Sequence, residues 1–313
     1  MTATQIRNEQ LSGSPNRNAI INGAMDIWQR GTATLTNPAT NTYFPDRFFA
    51  AYALGDGTFD LLQSAETPTA TFPFQFSLHH DTTHIETAVA AGENCTIQYR
   101  MEGYDFKRFE GQTATLSFWV RATKTGIYCV SFRNGVSDKS YVHEFTVDTT
   151  NTWEKKTVTL TFNSGGTFLY TTGVGLRITW VVLAGSTFQI ATANKDTWQA
   201  GSYLATDAQV NGMDNVANNF FLTGVQMELG SVATPFEFRP FAQELALCRR
   251  YARVQAFYIP ASAVLQSALI NMRTVPTITG GGAGYVSTGT TADTIVHGQT
   301  TGAVAVLTLA AEL

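Results

Sequence analysis

The sequence is poor in charge. Only 14% of its 313 residues are Asp, Glu, Lys or Arg, against 44% hydrophobic, so a core is available but the surface must be built from Thr, Ser, Asn and Gln. That balance argues against a highly charged cytosolic enzyme. The formal net charge of −4 leaves no basic field to attract nucleic acid. Cys95, Cys129 and Cys248 are odd in number and far apart, which excludes a disulfide framework or a CxxC metal site and suits small buried thiols. Apolar runs such as 178–183 are far too short to cross a bilayer, and the N-terminus lacks a basic-then-apolar leader pattern. No membrane insertion is therefore expected, and assembly inside a bacterium with release by lysis fits better than export.

Catalytic signatures are missing too. There is no GxSxG elbow and no GxxxxGK[ST] loop, and the Gly280 cluster lacks the lysine and following helix that would cradle phosphate. Asp138, Glu144 and Glu102 are carboxylates that spacing does not pair at glycosidase distance. No internal repeat points to the long groove of a β-helix. The run HHDTTH holds His79, His80 and His84, but its context is strand and loop, where the i, i+4 ligand geometry of a helix is not expected. It reads as a solvated loop. The expectation is no enzyme, no cofactor and no metal.

What the chain does have is period-two alternation, the mark of half-buried strands. Strands are predicted at 19–24, 43–52, 95–101, 113–121, 127–133, 142–147, 156–162, 176–183 and 220–229, with a further one alternating Phe72, Phe74, Phe76 and Leu78. Leu116, Phe118 and Val120 face inward, as do Tyr128, Val130 and Phe132, and Val158, Leu160 and Phe162. In the last long strand, Phe221, Thr223, Val225, Met227 and Leu229 share one face and Phe220, Leu222, Gln226 and Glu228 the other. Many short strands separated by turn residues predict an all-β sandwich or barrel. One helix is predicted at 240–255, with proline at its start, Glu244 early, Arg249, Arg250 and Arg253 late, and a stripe of Phe241, Leu245, Cys248 and Ala252. Beyond Pro260 the pattern returns to β, with a glycine turn at 280–284 and a closing apolar strand in 300–309. Residues 1–17 are polar and aperiodic, either disordered or an attachment arm that orders on a neighbour.

Two long motifs carry a resemblance. NAIINGAMDIWQRGT with FPDRF near the start, and TGVQMELGSVATPFEFRPFAQELALCRRYA near the end, are similar to the opening and closing strands of bacteriophage tail-fibre proteins with a carbohydrate-binding-module-like jelly roll; NMRTVPTIT resembles the strand pair after their helix. The resemblance spans Asn18 to about Met272. It implies a jelly-roll β-sandwich over 18–243 and a small C-terminal helix-plus-β unit over 244–313. It also implies a homotrimer within the virion, in contact with other tail proteins, that binds host cell-surface polysaccharide without cleaving it. A purely structural virion protein, such as a collar, adaptor or capsid-decorating fibre, is the rival. Where such jelly rolls carry a structural-calcium carboxylate this chain has Thr223 and Gly224, which leaves Asp26 or Asp46 to substitute. Trp153 is expected in the core.

A sugar platform needs an outward aromatic face beside hydrogen-bonding groups. If Phe118 points inward, Trp119 and Arg121 point outward together, and Arg133 and Arg177 do so on other strands. These four are the candidate ligand-binding residues. They suit a subunit interface equally well, and a reversed register would bury Trp119. The inward register predicts that Phe118→Ala lowers unfolding free energy by about 3–5 kcal/mol in denaturant titrations.

Overall fold

The computed structural model describes residues 17–68, 73–163, 165–259, 264–268, 277–280, 285–290, 294–299 and 303–312, with side chains as far as Arg253 and again at Ala311 and Glu312. The chain forms two compact units. The first comprises 17–26 and Thr32–Arg239; the second comprises Ile27–Gly31 and Pro240–Leu313. Residues 1–16 of the expected N-terminal arm, Phe72 and most of the glycine turn lie outside the described residues.

In chain order the strands of the first unit are β1 (Leu35–Thr36), β2 (Thr42–Tyr43), β3 (Phe48–Ala53), β4 (Thr58–Ser64), β5 (Ser77–His84), β6 (Asn94–Glu102), β7 (Thr113–Ala122), β8 (Gly126–Asn134), β9 (Lys139–Val147), β10 (Glu154–Thr161), β11 (Val174–Ala184), β12 (Gln189–Ile190), β13 (Trp198–Ala200), β14 (Ala205–Thr206) and β15 (Asn219–Leu229). They build a six-stranded sheet, β1-β4-β5-β15-β7-β10, and a seven-stranded sheet, β13-β9-β8-β11-β6-β3-β2; β12 and β14 form a small parallel pair. All pairing within the two large sheets is antiparallel, and consecutive strands cross repeatedly from one sheet to the other, as in the expected jelly-roll sandwich.

Alternation fills the space between the sheets. Leu116, Phe118 and Val120 from β7 are buried, as are Tyr128, Val130 and Phe132 from β8 and Val158 and Leu160 from β10. Trp180 is the central side chain. Phe118 meets it edge-on at 5.7 Å between ring centroids, and Phe48 packs at 6.2 Å. Such aromatic pairs add stabilisation beyond the area they bury. The three thiols are free and buried.

Several expectations are corrected. Residues 19–24 form irregular backbone that runs into turns at 21–24 instead of a strand, and 43–52 is a hairpin of β2 and β3. HHDTTH is part of β5, where period two sends His80 into the core and leaves His79 on the outer face. Trp153 is half-buried on an outer face, its edge against Phe221 at 6.1 Å. Strand β15 does not keep one parity. Phe220 and Leu222 lie opposite Ala122 and Val120, on the core face, but a bulge follows Thr223, and beyond it Met227 and Leu229 lie opposite Leu116 and Ala114. The extra residue exchanges the faces, and Gly224 makes it possible by adopting a left-handed φ of +61°. A side chain there would also run into Phe74 at 2.7 Å and Trp119 at 2.8 Å.

The bulge needs a partner because β5 accompanies β15 only from Asn219 to Leu222. The residues after Arg17 take over. Ala19 N donates to Met227 O and Val225 N to Gly23 O, each at 2.8 Å. The Asn18 side chain completes the clasp: Nδ2 donates to Val225 O at 3.2 Å, and Oδ1 accepts from Ile20 N at 2.9 Å and Met227 N at 3.1 Å. Around it Glu237 accepts from Asn18 N at 2.6 Å, Arg17 pairs with buried Glu228 at 3.2 Å, and Arg239 Nη1 donates to Ile20 O at 3.1 Å. The two sequence motifs thus meet in one buried polar cluster.

In the second unit a helix, Phe241–Arg249, precedes β16 (Ala252–Ile259), β17 (Val264–Ala268), β18 (Thr277–Gly280), β19 (Tyr285–Thr290), β20 (Thr294–Gln299) and β21 (Ala303–Ala310), paired as β16-β21-β18 and β17-β20-β19. The helix is shorter than expected, and its stripe is not a buried face: Cys248 is its one buried residue, Phe241 is 63% exposed, and Ala252 already belongs to β16. Ile27–Gly31 joins this unit through Gln29 Nε2, which donates to Ala252 O at 2.7 Å, and Arg30, paired with Glu312 at 2.9 Å. No described helix is long and apolar enough to cross a membrane.

Two outcomes follow. Asn18→Ala strands buried amides and a carbonyl, and unfolding free energy drops by about 2–4 kcal/mol. His80 stacks on Phe59 at 4.4 Å and touches Cys95 Sγ at 3.4 Å. Burial, helped by neighbouring His79, pushes its pKa from 6.5 down to about 3. The unfolded chain therefore takes up a proton that the native chain refuses. Stability is full above pH 6.5 and falls below it, by up to about 1.4 kcal/mol per pH unit. Denaturant midpoints at pH 7, 6 and 5 show this decline, and His80→Leu flattens it.

Candidate functional site

The structure does not bring the four candidate residues together. Trp119 and Arg121 stand on the outer face of the six-stranded sheet, whereas Arg133 and Arg177 stand opposite each other on the outer face of the seven-stranded sheet. Outward orientation held for each strand, but β7 and β8 belong to different layers, so their outer faces look in opposite directions.

On the first face the Phe221 ring stacks on His79, with centroids 4.0 Å apart, and the Arg121 guanidinium lies 4.8 Å over the same ring. Arg121 also pairs with Glu66, and His79 Nε2 meets Asn219 Oδ1. Burial lowers the His79 pKa against the opposing pull of Asn219 and Asp81. Burial raises that of Asp81, countered by His79 and reinforced by Asp60. Trp119 is half-buried beside the bulge. On this face the Arg121 charge is already engaged by the Phe221 ring and the Glu66 carboxylate, although its Nε has no hydrogen-bond partner among the described residues.

The second face carries arginines across adjoining strands. Arg133 of β8, Arg177 of β11 and Arg100 of β6 are direct cross-strand neighbours. The adjacent row is Ser131, Thr179, Gln98 and Phe49. Arg133 Nη1 donates to Ser202 Oγ at 3.0 Å and Nη2 to Thr179 Oγ1 at 3.4 Å; Arg177 Nη2 donates to Gly135 O at 3.1 Å. Arg100 lies 4.4 Å over the Phe49 ring, which packs on half-buried Tyr43 at 4.8 Å. Burial, then Arg177 and Arg100, push the Arg133 pKa down to about 10; burial and Arg100 lower that of Arg177.

A third site has no counterpart among the sequence candidates. A cleft of about 590 Å³ opens between the edges of β10 and β13, lined by Tyr141, Trp198, Asp196, Asn163, Leu160 and threonines 113, 159, 161 and 197. Trp198 is fixed by an indole hydrogen bond to Thr161 O at 2.9 Å and by Tyr141 at 5.6 Å. Asp196 meets His143 Nδ1 at 2.5 Å and also hydrogen-bonds Tyr141, whose pKa is pushed up to about 12 by burial and by that carboxylate. An aromatic surface bordered by hydroxyls, an amide and a carboxylate can cover the C–H face of a sugar and read its hydroxyls. The available signal was Trp198 within NKDTWQA, a lone tryptophan among polar residues outside any long strand. No group of acidic, histidine and cysteine side chains able to hold a metal occurs among the described residues.

No known protein family and no curated protein matches the sequence. Among solved structures the chain is similar to a family 4 carbohydrate-binding module, 13% identical, with a TM-score of 0.34 over 67% of this chain and 98% of that one. It is also similar to a family 61 module solved with beta-1,4-galactotriose, 7% identical, TM-score 0.31, over 69% and 100%. A third is a family 11 module from Clostridium thermocellum solved with a beta-1,3-1,4-mixed-linked tetrasaccharide, 9% identical, TM-score 0.31, over 65% and 99%. Similarity at this level transfers no ligand and no site residue to the chain.

Proposed function

We propose that this chain is a non-catalytic carbohydrate-binding component of a phage tail fibre, a homotrimer that docks on host cell-surface polysaccharide and is joined to other tail proteins through residues 1–17. The observation that carries the sugar reading is the Tyr141–Trp198 cleft. Its volume falls within the range of small-ligand sites, and its lining combines an immobilised indole with side chains that both donate and accept hydrogen bonds. Asp196 is its single lining carboxylate and is engaged by His143 and Tyr141, so the cleft does not present the carboxylate pair that glycoside hydrolysis uses. The tail-fibre and trimer parts rest on the resemblance of the two motifs, whose residues the clasp brings together.

Titration calorimetry of the full chain with host polysaccharide provides the test. Binding is expected, with Trp198→Ala weakening it at least about tenfold, the low end of what a lost base-stacking aromatic costs, while the polysaccharide keeps its chain length. Shortened chains would overturn the non-catalytic assignment, and unchanged binding by the variant would remove the cleft. Light scattering of the full chain is expected to give three times the monomer mass.

A further inference from the structure

The arginine row is costly as it stands. Like charges directly opposite on adjacent strands repel, yet Arg133 and Arg177 are direct neighbours and Arg100 flanks Arg177 on the other side. Neither Arg133 nor Arg177 meets a carboxylate among the described residues; their partners are two hydroxyls and a carbonyl. Arg133 is only 8% exposed, so water offsets little of its charge. Beside it two fully buried polar atoms, Arg133 Nε and Ser131 Oγ, have no hydrogen-bond partner among the described residues. Both belong to β8, two residues apart and so on one face.

We infer that this row is an anion subsite that receives the carboxylate or sulfate of an acidic sugar residue, making the chain selective for acidic polysaccharide. A guanidinium fork matches a planar carboxylate or a sulfate with paired hydrogen bonds, and an anion between neighbouring forks turns their repulsion into attraction. Arg177 is half-buried, and its exposed part gives access; Arg133 beside it supplies fixed charge and is held by Ser202 and Thr179. A sugar is favoured over a bare phosphate because Tyr43, half-buried on Phe49, borders the row and offers a ring surface next to the charge. Nucleic acid is disfavoured because the positive charge is confined to one row on a chain of formal net charge −4.

The inference rests on the carbohydrate reading but uses a different face from the Trp198 cleft, so the two fail separately. Calorimetry on the full chain compares oligogalacturonate, a sulfated galactan oligosaccharide, a neutral galactan oligosaccharide and inorganic sulfate. An acidic oligosaccharide is expected to bind at least tenfold more tightly than the neutral one, with affinity falling as salt rises. Arg177→Gln abolishes that preference, Arg177→Lys restores it only in part, and neither changes binding of the neutral oligosaccharide. Thermal melting of both variants checks that they fold, and the acidic ligand raises the melting temperature of the unaltered chain alone. Equal affinity for acidic and neutral oligosaccharides, or undiminished acidic binding by Arg177→Gln, overturns the subsite. Sulfate binding as tightly as the acidic oligosaccharides overturns its assignment to a sugar. Loss of all sugar binding in Trp198→Ala together with failure of the acidic preference leaves the cleft as the whole site.

Discussion

The sandwich depends on how the last strand completes its hydrogen bonding. Strand β15 is central to its sheet and buried on both faces, so every amide and carbonyl along it must be paired. Strand β5 leaves it after Leu222, and the vacated side is taken by a segment that is not a strand. Asn18 works there as a side chain imitating backbone, donating to one carbonyl and accepting from two amides. The Gly224 bulge turns the strand so that Met227 enters the core while Gln226 and Glu228 reach the clasp. Glu228 is held there by Arg17 and by the Thr234 amide at 2.9 Å. Buried charge of this kind is tolerable only when it is paired and hydrogen-bonded.

Much of the fold was legible because period two survives without interruption in β7, β8 and β10. There the inward assignments of Phe118, Val130 and Leu160 match their burial. Alternation failed where one residue broke it. Gly224 was visible as a lone glycine inside an apolar strand, the usual sign of a bulge, and reading it so would have divided Thr223 from Met227. Residues 19–24 looked like a strand because they are apolar; they are buried for another reason, as the backbone partner of β15. Trp153 and Trp180 show the limit of composition. Trp180 lies within β11 and Trp153 just before β10, and only pairing partners decide which one occupies the core.

The candidate site was less legible than the fold. A strand's outward face can be read from alternation, but which sheet the strand joins is a matter of long-range topology. Trp119 and Arg133 were consequently placed side by side when the sandwich lies between them. The Trp198 cleft falls in the excursion between β11 and β15, where no period exists to read. Part of that excursion packs on the outer face of the seven-stranded sheet through a secondary cluster of Cys129, Val142, Val181, Ile190 and Leu204. It also supplies Ser202 to Arg133 in the arginine row, whose residues are not part of that apolar cluster. Cover and contact are thus divided along one face, apolar at one end and cationic at the other.

The clasp has a geometric consequence for anything built from this chain. Residues 18–20, where the chain joins the sandwich, are hydrogen-bonded to Glu237 and Arg239, where it leaves. More than two hundred residues therefore begin and end at one point. Such a body can be spliced into a loop of another protein at small geometric cost, as modules with adjoining ends generally can. Tension applied between Asn18 and Arg239 would fall first on the Asn18–Glu237 and Ile20–Arg239 bonds and, through Ala19 and Asn18, on Met227 and Val225 of β15 itself.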